Sequence, residues 1–128
     1  ICVFDPKNGV GGLAHIMLPN QTAEAVNLKK YAETAIPMMI DDMLSEGADK
    51  KQLKAKIVGG ATMFKMASDS FIGSIGLNNT KRVREVLEEN GIQIIAEDVG
   101  GDYGRTIDFY IESGQVRIKS LGREEKSI

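Results

Sequence analysis

Asp5-Pro6-Lys7-Asn8-Gly9 stands between two apolar runs and limits what can surround it. Proline presets φ for a turn, and Asn-Gly tolerates positive φ, so the chain reverses direction here. Ile1–Phe4 reads as the end of a strand. Val10–Leu18 reads as the strand that returns, stopped by Pro19 and the polar Asn20–Thr22. A hairpin at this point also decides a second question. Gly9-Val10-Gly11-Gly12-Leu13-Ala14 fits the G-x-G-x-x-A fingerprint of dinucleotide sites. That chemistry needs a helix starting here to aim its N-terminal amides at a pyrophosphate. Pro19 leaves too little chain for such a helix, so the glycines are assigned to a hairpin whose backbone bends or approaches a neighbour closely.

Further along, Ala32, Ala35, Ile36, Met39, Ile40 and Met43 recur at helical spacing and predict a helix over about Tyr31–Glu46, with Gly47 as its stop. Pro37 falls inside this pattern. Either the helix is kinked there, or Thr34 caps it and Pro37 lies in the first turn. Lys54–Val58 reads as a strand that enters a bend at Gly59-Gly60-Ala61. Residues 62–78 carry apolar mass (Met63, Phe64, Met66, Phe71, Ile72) with no clean period. Asn79 is expected to cap a helix over about Thr80–Glu89, with Val83, Val86 and Leu87 inward and Gly91 as its stop. Ile92–Ala96 reads as a strand, and Thr106–Ile111 with Gln115–Lys119 as a hairpin across Glu112-Ser113-Gly114. The order β-β-α-β-α-β-β-β, rich in hairpins, argues for an α+β fold with helices covering one side of mostly antiparallel strands.

Composition narrows the function classes. The 128 residues suit one domain over 1–128, and Lys plus Arg at 16 against Asp plus Glu at 18 excludes a strongly basic nucleic-acid footprint. One Cys and one His exclude a disulfide framework and a Cys/His zinc site. No apolar run approaches the roughly 20 residues of a membrane span. A single cysteine fits a reducing, cytosolic setting. The chain opens Ile-Cys-Val-Phe-Asp without Met, and reads as a piece whose natural start lies further upstream.

Few side chains can carry chemistry. His15 shares a strand face with Leu13 and Met17, and two readings stand: a hydrogen-bonded core histidine, or a general base near neutral pH. Cys2 is a nucleophile paired with that imidazole, or an inert buried thiol. Gly59-Gly60-Ala61-Thr62 forms an anion nest or oxyanion hole from its N–H groups, or is a plain bend; it lacks the lysine of a P-loop. Lys81, Arg82 and Arg84 stand ahead of Glu85, Glu88 and Glu89, an order that opposes the helix dipole. They form a partner-facing surface or are solvated charges. Glu97 and Asp98 point to opposite faces of a strand, which argues against a two-carboxylate site and for two solvated charges.

Taken together, Asp5-Pro6, the Gly9–Gly12 turn, Ala14-His15-Ile16-Met17-Leu18-Pro19, Lys56-Ile57-Val58-Gly59-Gly60-Ala61-Thr62-Met63-Phe64, and Ile75-Gly76 with Asn79 resemble the chemoreceptor glutamine deamidase family, CheD. The likeness is collinear from Ile1 to about Gly122. It implies a layered α/β sandwich similar to bacterial toxin deamidases, and a protein-glutamine amidohydrolase that converts Gln on the cytoplasmic helices of methyl-accepting chemoreceptors to Glu plus ammonia. It implies Cys-His thiol chemistry without metal or cofactor, a cytoplasmic setting, and a CheC-type phosphatase as partner. The alternative is a non-catalytic adaptor that binds and regulates that phosphatase. His15 falls on the family's catalytic histidine. The family's nucleophilic Cys, in a Gly-Ser-Cys stretch, falls just ahead of Ile1, and a supporting Thr further upstream. Cys2 falls on a non-catalytic position. The 128 residues alone are therefore expected to be inactive. Gly59, Gly60 and Ala61 are the candidate wall of the substrate pocket.

Overall fold

A computed structural model describes residues 1–23, 26–62 and 71–128, the side chains of 71–73 excepted. Four strands form the central sheet: β1 (Cys2–Asp5), β2 (Val10–Leu13), β3 (Lys54–Gly59) and β4 (Gln93–Val99), in the order β2-β1-β3-β4. β1 is antiparallel to both β2 and β3, whereas β3 and β4 run parallel. Three further strands, β5 (Thr106–Tyr110), β6 (Gln115–Lys119) and β7 (Lys126–Ser127), form a separate antiparallel sheet in that order. Two α-helices, α1 (Ala32–Ser45) and α2 (Phe71–Glu89), and two short 3-10 turns, Leu28–Lys30 and Lys50–Gln52, complete the described elements.

The period-two pattern of β1 explains the layering. Val3 turns to the helices and joins Ala55 and Ile57 of β3, Ile36, Ile40 and Met43 of α1, and Val83, Val86 and Leu87 of α2. Cys2 turns to the second sheet and packs with Val116, Ile118, Val58 and Ile107. Phe4 meets Phe109 edge-on, with ring centroids 6.3 Å apart. The fold is thus helices, mixed sheet, antiparallel sheet: an α+β layered sandwich, as the element order implied.

The hairpin turn is locked by one carboxylate. Asp5 is fully buried; its Oδ1 accepts from the N–H groups of Lys7 and Asn8, and its Oδ2 from Asn8 Nδ2 and from Asp49 N–H at 2.8 Å. The last bond reaches across to the segment after α1, so the turn and the helix end are tied together. Burial pushes the Asp5 carboxyl up, but the four donors outweigh it and hold the pKa down at about 2.

Some expectations change. β2 ends at Leu13, not Leu18, so His15 lies beyond the regular strand. Pro37 sits inside α1, which begins at Ala32 after an uncapped Tyr31; Thr34 donates back to the Leu28 and Tyr31 carbonyls instead of capping. α2 begins at Phe71, so Asn79 lies in mid-helix and caps nothing. Met63, Phe64 and Met66 lie outside the described residues. Arg82 pairs with Glu85 and Glu89 on its own helix, and Arg84 reaches Glu97 of β4 at 2.6 Å, so these cations tie α2 together and to the sheet. Asp98 is not a solvated charge. Its side chain is 10% exposed and is held by Arg105 at 3.2 Å and Lys126 at 2.9 Å.

Candidate active site

His15 is placed by the segment that carries it, not by a strand. Just ahead of it, Ala14 exchanges two backbone hydrogen bonds with Ile1, at 2.8 and 2.9 Å. Just after it, the Met17 and Leu18 N–H groups both donate to the Lys30 carbonyl, and the Ala32 N–H donates to the Leu18 carbonyl. From the third side, Asn79 of α2 donates its Nδ2 to the Met17 carbonyl at 3.0 Å. Residues 14–18 are therefore fixed to β1, to the start of α1 and to α2 at once. The alternation read from the sequence persists along this segment: Leu13 and Met17 are 57% and 59% exposed and His15 is exposed with them, while Ala14 and Ile16 pack on the core. The core-histidine reading is thereby overturned, because the imidazole has solvent access.

The glycine bend meets His15 from across the sheet. Parallel strands leave a crevice where their carboxyl ends diverge, and β3 ends at this point. Beyond the strands, Gly100 N–H donates to the Gly59 carbonyl and Thr62 N–H to the Gly101 carbonyl, each at 2.8 Å. Gly59 and Gly60 adopt φ of +121° and +64°, which side chains disfavour. Gly60 also presses on α2: a Cβ there would come within 2.9 Å of the Gly76 carbonyl, and one on Gly76 within 2.5 Å of the Gly60 carbonyl. Two glycines thus let the bend lie directly on the helix.

His15, Gly59 and Gly60 border two cavities. One, of about 140 Å³, faces α2 and includes Asn79, Thr80 and Val83 in its wall. The other, of about 350 Å³, faces the second sheet and adds Ala61, Tyr103 and Arg105. His15 also stands at the end of a groove of about 450 Å³ between β2 and α1, walled by Leu13, Met38, Met39 and Met43. All four site residues proposed from the sequence, His15, Gly59, Gly60 and Ala61, therefore come together.

Cys2 does not join them as a nucleophile. It is 1% exposed and packed between the two sheets. Burial raises its thiol pKa, against a smaller opposite effect of Lys56. A buried, protonated thiol is a poor nucleophile. Three contributors escaped the sequence reading. Tyr103 and Arg105 wall the larger cavity, with the guanidinium 4.2 Å from the ring centroid. Burial pushes the Asp98 carboxyl up, but Arg105 and Lys126 outweigh it and hold it below the usual carboxylate range. Asn79 was noted, but as a cap. The Gly100, Gly101 and Gly104 loop was the one available signal for Tyr103 and Arg105.

Among the described residues, no group of three His, Cys, Asp or Glu side chains is placed to hold a metal ion. An exposed imidazole bordering a cavity suits proton transfer. A family model described as "CheD chemotactic sensory transduction" matches residues 17–120. A "Probable chemoreceptor glutamine deamidase CheD" from Clostridium novyi (strain NT) is 47% identical over 130 residues, spanning all of this chain and 80% of that protein. Proteins of the same name from Caldanaerobacter subterraneus subsp. tengcongensis and Desulforamulus reducens are 46% and 44% identical, again over the whole chain and over 80% and 78% of their own lengths.

Proposed function

The chain belongs to the CheD family, and we propose that it deamidates glutamine side chains of chemoreceptors, with His15 as the proton-transfer group. The observation that carries this reading is the position of the only histidine: exposed, pinned on three sides, and bordering cavities that Gly59 and Gly60 complete.

The chemistry follows from the substrate. A carboxamide is a weak electrophile with a poor leaving group. A thiolate attacks the side-chain carbonyl; the imidazolium of His15 then protonates the departing nitrogen, and ammonia leaves. Water next hydrolyses the thioester, with His15 as base, and a glutamate side chain results. We assign the developing oxyanion to backbone N–H donors of the Gly59–Ala61 bend, where one such donor is worth about 3 kcal/mol. Cys2 does not supply this sulfur, since its environment suppresses its thiolate; the family resemblance assigns it to a Gly-Ser-Cys stretch. The groove walled by Met38, Met39 and Met43 supports a helical substrate, because methionines adapt to varied apolar surfaces.

No helix among the described residues is long and apolar enough to cross a membrane. We assign the protein to the cytoplasm, where receptor helices are accessible, with a CheC-type phosphatase as a further partner. Incubating the full-length protein with a receptor cytoplasmic fragment tests the reading. Ammonia release, with the mass gain of a Gln-to-Glu conversion, is expected; an unchanged receptor mass contradicts it.

A further inference from the structure

We propose that Arg105 is a positioning residue: its buried ion pair with Asp98 closes the Gly100–Gly104 loop, and that loop holds the Gly59–Ala61 wall in register with His15. This inference rests on the deamidase reading above and adds to the same site a device that acts from behind it.

The pair closes the loop at its base. Asp98 stands in β4 and Arg105 directly ahead of β5, with side chains 10% and 3% exposed. Nη2 of Arg105 donates to Asp98 Oδ1 at 3.2 Å, and Nη1 donates to the Tyr103 carbonyl at 3.3 Å. One planar guanidinium thus grips both the strand that enters the loop and the backbone that leaves it. Lys126 of β7 stands 2.9 Å from the other carboxylate oxygen, so the second sheet anchors the pair. Separating a cation and an anion held in this way leaves an uncompensated charge out of water. Gly100, Gly101 and Gly104 bring no side chains to stiffen the loop, so its shape depends on this closure.

What the loop carries is the bend. Gly100 donates its N–H to the Gly59 carbonyl, and the Gly101 carbonyl accepts from the Thr62 N–H. These two bonds bracket Gly60 and Ala61, whose carbonyl oxygens lie against Gly76 of α2. The Gly60 and Ala61 N–H groups donate to no group among the described residues. The loop therefore fixes the outer members of the bend and leaves the inner N–H groups uncommitted. His15 borders the same cavity of about 350 Å³ as Gly59, Gly60 and Ala61. Arg105 also walls it, but its terminal nitrogens bind Asp98 and Tyr103 and its Nε is sealed from solvent. Its part is placement, not contact with substrate.

The test uses full-length protein, a receptor peptide bearing the reactive Gln, and methyl methanethiosulfonate. Deamidation develops an oxyanion on the substrate carbonyl. The thiosulfonate reaction does not: the thiolate attacks sulfur, a mixed disulfide forms, and methanesulfinate leaves. Arg105→Met and Asp98→Asn are each expected to lower kcat about 10- to 100-fold, with KM within about threefold of the parent. Labelling of the nucleophilic thiol, located by mass spectrometry, is expected to keep its rate within about threefold. The two residues act as a unit, so the double variant is expected to lose no more than the worse single one. A kcat loss under about tenfold, or a parallel fall in deamidation and labelling, overturns this inference alone. A parent that releases no ammonia overturns the deamidase reading and this inference with it. Should the variants fail to fold, hydrogen exchange in the parent decides. The Gly100 and Thr62 amides and the Arg105 Nε–H are expected to open together, with protection factors within about tenfold of one another. Gly100 or Thr62 less protected than Arg105 by more than that overturns the inference, because the loop then releases the bend while the pair holds.

Discussion

Replacing Gly60 with alanine loads the close contact between the glycine bend and α2. Two costs arise from the geometry. The backbone stays at φ +64°, where a Cβ crowds its own carbonyl at a cost of about 1–2 kcal/mol. The new methyl would also stand deep inside the van der Waals radius of Thr80 Oγ1 and 2.9 Å from the Gly76 carbonyl. Thr80 is 8% exposed and its hydroxyl donates to that carbonyl at 2.9 Å, so moving it aside breaks a buried hydrogen bond. Overpacking of this kind costs about 1–3 kcal/mol. The sum, about 2–5 kcal/mol, is a large part of the 5–15 kcal/mol typical of a domain. Urea denaturation of Gly60→Ala measures it. Thr80→Ala in the same chain removes the worst contact but leaves the φ strain and the Gly76 contact. The double variant is therefore expected to recover about 1–2 kcal/mol relative to additivity. A Gly60→Ala loss under about 0.5 kcal/mol, or a fully additive pair, would refute the close approach of the bend to α2.

Asp5 sets a second expectation, in acid. Its folded pKa, about 2, lies below the ordinary 3.8, so the stability it contributes is present above about pH 4 and fades as pH falls toward 2. Asp5→Asn is expected to lower stability at neutral pH and to flatten the dependence between those values; an unchanged acid limb in denaturant titrations contradicts the four-donor clamp. Cys2 sets a third. Its buried thiol is expected to resist iodoacetamide in the folded protein and to react only on unfolding, and Cys2→Ser in full-length protein is expected to retain deamidation. Rapid labelling of folded Cys2, or a variant without activity but with native stability, contradicts its structural role.

The hairpin around Asp5–Gly9 was legible because proline and Asn-Gly act locally, and α1 because Ala32, Ile36, Met39 and Met43 repeat at the helical period. The length of α2 was not, because Gly73 and Gly76 lower helix propensity at its start. Gly76 is there for packing: the Gly60 and Ala61 carbonyls lie against it. The same tertiary contact is what moved Asn79 from an expected cap to mid-helix. His15 and the Gly59–Ala61 bend were readable as candidates, since a lone histidine and a double glycine after a strand stand out. Their meeting was not, because it depends on the order β2-β1-β3-β4, which no local pattern encodes. The charges of Arg84, Glu97 and Asp98 likewise show as solvated in a linear reading, and pair, Arg84 with Glu97 and Asp98 with Arg105, only once α2, β4 and the loop before β5 are folded together.

The central claim is that the imidazole at position 15 moves the protons of the reaction. Single-turnover ammonia release from a Gln-bearing receptor peptide, compared between full-length parent and a His15→Gln variant of equal thermal stability, addresses it directly. The variant is expected to be slower by about 10²–10⁴-fold. Equal rates would contradict the claim.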